Sequence, residues 1–259
     1  DHIVITTNEN NFNVGERITL DFFTSNQWSS SDNEILDNLL TDSTYSRIKG
    51  YLIDLNTPLF QLKQPDFNSI GLNDRQSEAV SRALSANDYF LINAPHGTGR
   101  IVIGLRIVDT IVNRYQSAQI LITPFFYSTI NKICDGLEIL GIPYVVGGKI
   151  DRIKEEYRKN HEDVLFSKCK TVKDTSQLSS QIKVFIIPST AKKYDILFQR
   201  EFNLVIMYES SRIPTIRSIP CLYSSCPLIL FGDTVLDNGV DSIFAYLQRI
   251  KSQQVLDLW

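Results

Sequence analysis

Cysteine, histidine, long apolar runs and an excess of either charge are all scarce in this chain, and each scarcity removes a class of protein. Four cysteines (Cys134, Cys169, Cys221 and Cys226) in 259 residues are too few and scattered for a disulfide-stapled secreted scaffold. They point to a reducing, intracellular compartment, nuclear or cytoplasmic. Cys221 and Cys226 are spaced C-x₄-C with no second pair near them, so zinc or iron–sulfur ligation is not expected and buried single thiols are. The histidines (His2, His96 and His161) form no Ser/His/Asp or Cys/His constellation, and no metal site is expected. No apolar run reaches the ~20 residues that a membrane span needs, so no membrane is expected among the partners. The polar residues 1–10 carry no signal-peptide core. Lys and Arg number 26 against 29 Asp and Glu, a net charge of −3; this excludes a strongly basic nucleic-acid coat but not a local groove. No internal repeat is visible.

What is present is ordinary globular composition, 43% hydrophobic and 21% charged, in a chain long enough for one large or two small domains. Residues 1–71 begin with β-rich runs at 2–5 and 18–23, joined by a turn-rich connector. Helical spacing follows, at Ile35, Leu36, Leu39 and Leu40 and again at Ile48, Leu52 and Leu55. From Leu72 the character changes. Continuous apolar runs at 89–92, 120–122, 144–146, 184–187, 204–207 and 228–231 alternate with helical patterns that include 74–86, 102–115 and 127–140. Apolar runs of this kind between helices read as strands buried on both faces of a parallel sheet. The fold class is therefore α/β, a parallel sheet sandwiched by helices and preceded by a short β and helical segment. Residues 149–180 are polar and Lys-rich; a helix followed by a mobile loop is expected, either as a solvated face or as a strand-binding insertion.

The most informative segment is Ala94-Pro95-His96-Gly97-Thr98-Gly99-Arg100-Ile101, between an apolar strand and a helix. A G-x-x-x-x-G-K-[ST] loop sits in that context, with backbone N–H groups wrapping phosphates at a helix N-terminus. Gly97, Thr98 and Gly99 fit. Ala94 replaces the first glycine, Arg100 the lysine and Ile101 the metal-binding hydroxyl. Ile has no oxygen for a metal, and a guanidinium is a planar fork where a compact ammonium is wanted. His96 reads as a loop residue without ligand neighbours.

The surrounding motifs carry a resemblance. Gln76, in Leu72-Asn73-Asp74-Arg75-Gln76, precedes the loop; Leu121-Ile122-Thr123-Pro124, Val205-Ile206-Met207-Tyr208-Glu209 and Leu230-Phe231-Gly232-Asp233 follow it. In this order and spacing they resemble superfamily 1 helicases. The branch is that of the nonsense-mediated-decay helicase, the senataxin-type helicases and the replication helicase–nuclease. The resemblance implies that residues 72–259 are the first RecA-like domain, a P-loop NTPase fold. It implies that residues 1–71 are the end of a small β-barrel plus stalk helices. Gln76 is then the adenine reader. Residues 94–101 are the phosphate loop, and Thr123, Pro124, Phe125, Phe126 and Tyr127 lie where a single strand of DNA or RNA is touched. Glu209 is the group that polarises the attacking water, and Asp233 belongs to the Gly-Asp-x-x-Gln motif.

Tyr208 stands where the family has the Mg²⁺-holding Asp, and Leu236 where it has the γ-phosphate-sensing Gln. With Arg100 and Ile101, four nucleotide-site side chains are lost. Phosphoryl transfer rests on positioning and electrostatics, so Glu209 and Asp233 are expected to be vestigial, and no cofactor beyond weak ATP or ADP binding is expected. Phe125, Phe126 and Tyr127 replace the family's small polar residues; they either stack on bases or pack into a core or partner. A helicase site lies between two RecA-like halves. The expectation is thus a degenerate helicase domain inside a larger protein or complex, serving as nucleic-acid-binding or interaction scaffold. The alternative is the first half of an active ATP-dependent helicase.

Overall fold

The computed structural model describes residues 41, 50–51, 57–61, 66–160, 181–189, 201–219, 226–234, 241–250 and 255–258. The expected early strands, most of the stalk helices, residues 161–180 of the Lys-rich stretch, Cys169, Cys221 and Leu236 lie outside the described residues.

The strands are β1 (Tyr89–Asn93), β2 (Ile120–Pro124), β3 (Tyr144–Val146), β4 (Val184–Ile186), β5 (Leu204–Tyr208), β6 (Leu228–Gly232) and β7 (Val255–Asp257). They form one sheet in the order β3-β4-β2-β5-β6-β1-β7, and every ladder is parallel. Six strands coincide with the six apolar runs. The seventh, β7, is a three-residue edge strand too short to leave a periodic signal.

All five residues of β1, β2, β5 and β6 are buried, as expected for strands covered on both faces. Side chains alternate between two cores. Phe90, Ile92, Ile120, Ile122, Leu204, Ile206 and Tyr208 join the core that also holds Ala79, Val80, Ile103, Ile107, Ile130 and Leu137 from the helices α1 (Asp74–Ser85), α2 (Arg100–Arg114) and α3 (Tyr127–Leu140). Tyr89, Leu91, Leu121, Val205 and Met207 join the opposite core, with Phe244 and Leu247 of α4 (Ile243–Ile250). This parity places Tyr208 on the face covered by α1–α3.

The polar stretch after β3 departs from expectation. Where a helix was expected to begin, its described residues up to 160 hold two 3₁₀ segments, Ile150–Arg152 and Glu155–Asn160. One outer stripe of α3 holds them. Asn131 accepts from the Lys154 N–H at 3.2 Å, Asp135 pairs with Lys154 at 3.3 Å and accepts from the Tyr157 hydroxyl, and Glu138 pairs with Lys159 at 3.5 Å. Residues 131, 135 and 138 lie at i, i+4 and i+7, so the segment follows α3 instead of its own helical register.

Candidate functional site

In a parallel sheet all strand ends of one sense share a rim, and ligands of α/β sheets bind there. The central neighbours β2, β5, β6 and β1 bring together the segments that leave their C-terminal ends. These are 94–101, 125–129, 209–212 and 233–234, so the structure gathers the residues singled out in the sequence at one rim.

The loop after β1 is a tight turn closed on itself. Ala94 is fully buried and donates its N–H to the Gly232 carbonyl at 2.7 Å; Thr98 donates N–H and hydroxyl to the Pro95 carbonyl at 3.3 and 2.8 Å. His96 is exposed. Gly97 and Gly99 have φ of 87° and 86°, left-handed values that glycine adopts without cost. At Gly99 a Cβ would also lie 2.4 Å from Gln76 Nε2. Gln76 is engaged at both ends of its amide. Oε1 accepts from the Asn73 N–H at 3.1 Å, completing the capping box of α1, and Nε2 donates to the Thr98 carbonyl at 3.0 Å. It therefore ties the loop to α1. Gly99 caps α2 in a left-handed conformation, which lets the helix start at Arg100, two residues earlier than its apolar periodicity indicates. Ile101 is half-buried and packs on the core.

Tyr208 ends β5. It is 1% exposed, and its ring stacks on Phe231 at 4.9 Å between centroids and 6° between planes. Its hydroxyl points at α2 over Gly104, where a Cβ would lie only 1.7 Å away. Burial pushes the phenol well above its ordinary range; the neighbouring Glu209 carboxylate adds to this and Arg100 opposes it. The group is a neutral packing element.

Glu209 is 2% exposed and sits at φ 52°, the left-handed region that a glutamate enters only when its surroundings fix it. Its carboxylate receives Arg100 Nη2 at 2.9 Å, the Thr129 hydroxyl at 2.9 Å and the Phe125 N–H at 3.4 Å. Arg100 is itself largely covered, with 15% of its side chain exposed.

The aromatic segment divides. Phe125 is partly buried against the α4-side core and meets Phe126 edge-to-face at 4.9 Å. Phe126 is exposed, with the Arg212 guanidinium 5.6 Å from its ring centre. Tyr127 is half-buried against the other core. Its hydroxyl accepts from the Lys149 N–H at 2.9 Å, and the Arg152 guanidinium lies 5.5 Å from its ring. Both separations are within cation–π range. Thr123 and Pro124 are buried strand residues, beneath this surface and not on it.

At the end of β6, Asp233 is 5% exposed and donates its N–H to the Ser211 hydroxyl at 3.1 Å. Asn93 was not anticipated. Its Nδ2 donates to Thr234 Oγ1 at 3.0 Å and Asp257 Oδ1 at 2.7 Å, and its Oδ1 accepts from the Thr234 N–H at 3.2 Å. A polar residue closing an apolar strand was the signal available for it. Arg212 and Thr129 were also missed, since neither belongs to a recognisable spacing. Of the described cysteines, Cys134 is buried and Cys226 half-buried, and neither is in a disulfide. Among the described residues no cluster of three His, Cys, Asp or Glu could hold a metal ion, and no helix is long and apolar enough to cross a membrane.

No protein-family model matches the chain. It is similar to the DNA replication ATP-dependent helicase/nuclease JHS1 of Arabidopsis thaliana, at 26% identity over 195 residues, 72% of this chain and 14% of that protein. The helicase/nuclease DNA2 of Gallus gallus is 26% identical over 217 residues, 77% of this chain and 21% of that protein. DNA2 of Saccharomyces cerevisiae is 26% identical over 212 residues, 79% and 13%. The chain thus spans between 13% and 21% of the length of these relatives. Among solved structures, the UvsW helicase of bacteriophage T4 aligns with a TM-score of 0.48 at 12% identity, over 82% of this chain and 37% of that one. The SWI2/SNF2 ATPase core of Sulfolobus solfataricus in complex with dsDNA aligns with a TM-score of 0.47 at 13% identity, over 76% and 46%. The helicase resemblance drawn from the motifs is borne out, and the relatives are helicase–nucleases of the branch that the motifs indicated.

Proposed function

We propose that this relative of the replication helicase–nucleases is a helicase-like domain that does not hydrolyse ATP and that serves as a nucleic-acid-binding or interaction scaffold within a larger intracellular protein or complex. The observation that carries this reading is Tyr208. An aromatic ring, buried, stacked and wedged against α2, occupies the position where the family directs a carboxylate toward Mg²⁺. Ile101 faces the core instead of offering a hydroxyl. Glu209 spends its carboxylate on Arg100, Thr129 and the Phe125 N–H. The donors present do not suit a Mg²⁺–nucleotide, and Glu209 is not free to polarise a water. The loop and the start of α2 still offer a positive dipole end to an anion, so weak nucleotide binding without metal is compatible with the geometry.

The ligand favoured for the rim is single-stranded nucleic acid, DNA in view of the relatives' names. Phe126 presents an exposed ring, and Arg152, Lys149 and Arg212 stand on either side of the 126–127 pair. Stacking on such a ring contributes about 1–3 kcal/mol per base, and the arginines meet phosphates.

Steady-state ATP hydrolysis with Mg²⁺ and single-stranded DNA tests the proposal. Turnover at background is expected. A rate stimulated by DNA and abolished by Glu209→Gln would refute it and establish the second reading, an active helicase of which this is the first motor half. Gly97 and Gly99 in their loop conformations, with Glu209 and Asp233 kept at the rim, are what favour that second reading.

A further inference from the structure

We propose that Arg100 and Glu209 form a resident brace that sets the aromatic rim without nucleotide. The inference rests on the scaffold reading above and names how that surface is kept in shape.

Three segments far apart in sequence meet at one carboxylate. Arg100 is the first residue of α2, Glu209 is the residue after β5, the Phe125 N–H belongs to the turn between β2 and α3, and Thr129 to the first turn of α3. Phe125 and Thr129 bracket Phe126 and Tyr127, so the two rim rings lie between two attachment points of the same carboxylate. Each contact to Glu209 is charge-assisted and sheltered from water, the setting in which such bonds are strongest. The carboxylate is 2% exposed, so losing its only ion-pair partner among the described residues would strand a buried charge. The left-handed backbone at Glu209 fits the same picture, since the residue is held by its surroundings and not by its own preference.

In nucleotide-driven switches, loops are ordered by contacts to a phosphate or its metal and released when these leave. Here the cation is a side chain of the same domain. It cannot dissociate, and while it pairs with Glu209 the rim has one arrangement. A phosphate entering the loop would have to compete with an intramolecular carboxylate at 2.9 Å for the same guanidinium. Arg100 and Glu209 are thus positioning residues for the rim, acting through Thr129 and the Phe125 N–H.

Hydrogen–deuterium exchange on the full-length protein tests this, read on peptides covering residues 125–130 with β1 as internal reference. In the wild type, protection at 125–130 is expected to be identical with and without millimolar Mg²⁺–ATP. Arg100→Met is expected to speed exchange there on the order of 100-fold while β1 stays protected. Arg100→Lys, which keeps the charge, is expected to recover most of the protection. A nucleotide-dependent change in the wild type would overturn the proposal. So would unchanged exchange in Arg100→Met, or equal loss at β1, which would make the pair a general stability element. Should Arg100→Met not fold, the wild-type and Arg100→Lys arms still decide. ATP hydrolysis measured on the same samples keeps the two ideas apart. Turnover with nucleotide-insensitive exchange would sink the scaffold reading and leave the brace; absence of turnover with nucleotide-sensitive exchange would do the reverse.

Discussion

Removing the Tyr208 ring should show what that side chain does, and Gly104 supplies the control. Tyr208→Ala deletes a fully buried aromatic stacked on Phe231. Truncations of this kind cost about 3–5 kcal/mol, a large part of the roughly 5–15 kcal/mol that holds a domain together. At about 2–4 °C per kcal/mol for a chain of this size, Tm should fall by about 6–20 °C. Gly104→Ala in the wild type puts a methyl 1.7 Å from the Tyr208 hydroxyl and 2.9 Å from Cζ. Overpacking of that sort costs about 1–3 kcal/mol, against about 1 kcal/mol gained from helix propensity. In the Tyr208→Ala background the obstruction is gone, and Gly104→Ala should become stabilising by up to about 1 kcal/mol. The double-mutant cycle should therefore show a coupling of about 1–3 kcal/mol, the overpacking cost itself, measured by urea and thermal unfolding followed by circular dichroism. Tyr208→Asp, which places there the residue that the helicase resemblance implies, should be less stable than Tyr208→Ala, because it sets a second buried carboxylate beside Glu209. The reasoning fails if Gly104→Ala has the same effect in both backgrounds, or if Tyr208→Ala lowers Tm by less than about 3 °C.

Two further outcomes are expected. Arg152→Ala and Arg212→Ala should each weaken single-stranded DNA binding and reduce the slope of log K against log salt by about 1, read by fluorescence anisotropy at several salt concentrations; an unchanged slope removes these residues from the interface. Stability should fall in alkali. Burial pushes the Cys134 thiol from 9.0 up to about 12, and burial, then Tyr51 and Asp88, push the Tyr89 phenol from 10.0 up to about 12. Both groups are held neutral in the folded chain, so their contribution is complete below pH ~9. It declines once the unfolded chain ionises and the folded chain does not, at up to about 1.4 kcal/mol per pH unit for each group. The urea midpoint should therefore drop between about pH 9 and 11, less steeply in Cys134→Ala, and a flat midpoint over that range contradicts the assignment.

Much of the fold was legible because buried parallel strands write themselves as short, continuous apolar runs. Six such runs became β1 to β6, and 127–140 became α3 without change of boundary. Where competing forces were local, the reading slipped. α2 begins at Arg100 because left-handed Gly99 permits it, not because Arg100 and Ile101 extend the apolar stripe. Between 150 and 160 the chain takes 3₁₀ turns in place of a helix, because α3 offers Asn131, Asp135 and Glu138 as outside partners. The edge strand β7 is held by pairing with β1 and by Asn93, a bond across 164 residues of sequence that no window of residues reveals.

The candidate site divides along the same line. That Ile101 has no metal-binding oxygen, that Tyr208 has no carboxylate and that Gly97 and Gly99 permit a tight turn are properties of side-chain chemistry, and the sequence alone determined them. Only the tertiary structure decided that the Tyr208 hydroxyl lies over Gly104, that Gln76 is tied to Thr98, and that Arg100 and Glu209 meet within 2.9 Å beneath the aromatic rim. The reason is physical: a residue's donor and acceptor inventory is local, but its partner is whatever the sheet order brings to the same rim. Here β2, β5, β6 and β1 set residues 100, 129 and 209 around a single buried charge.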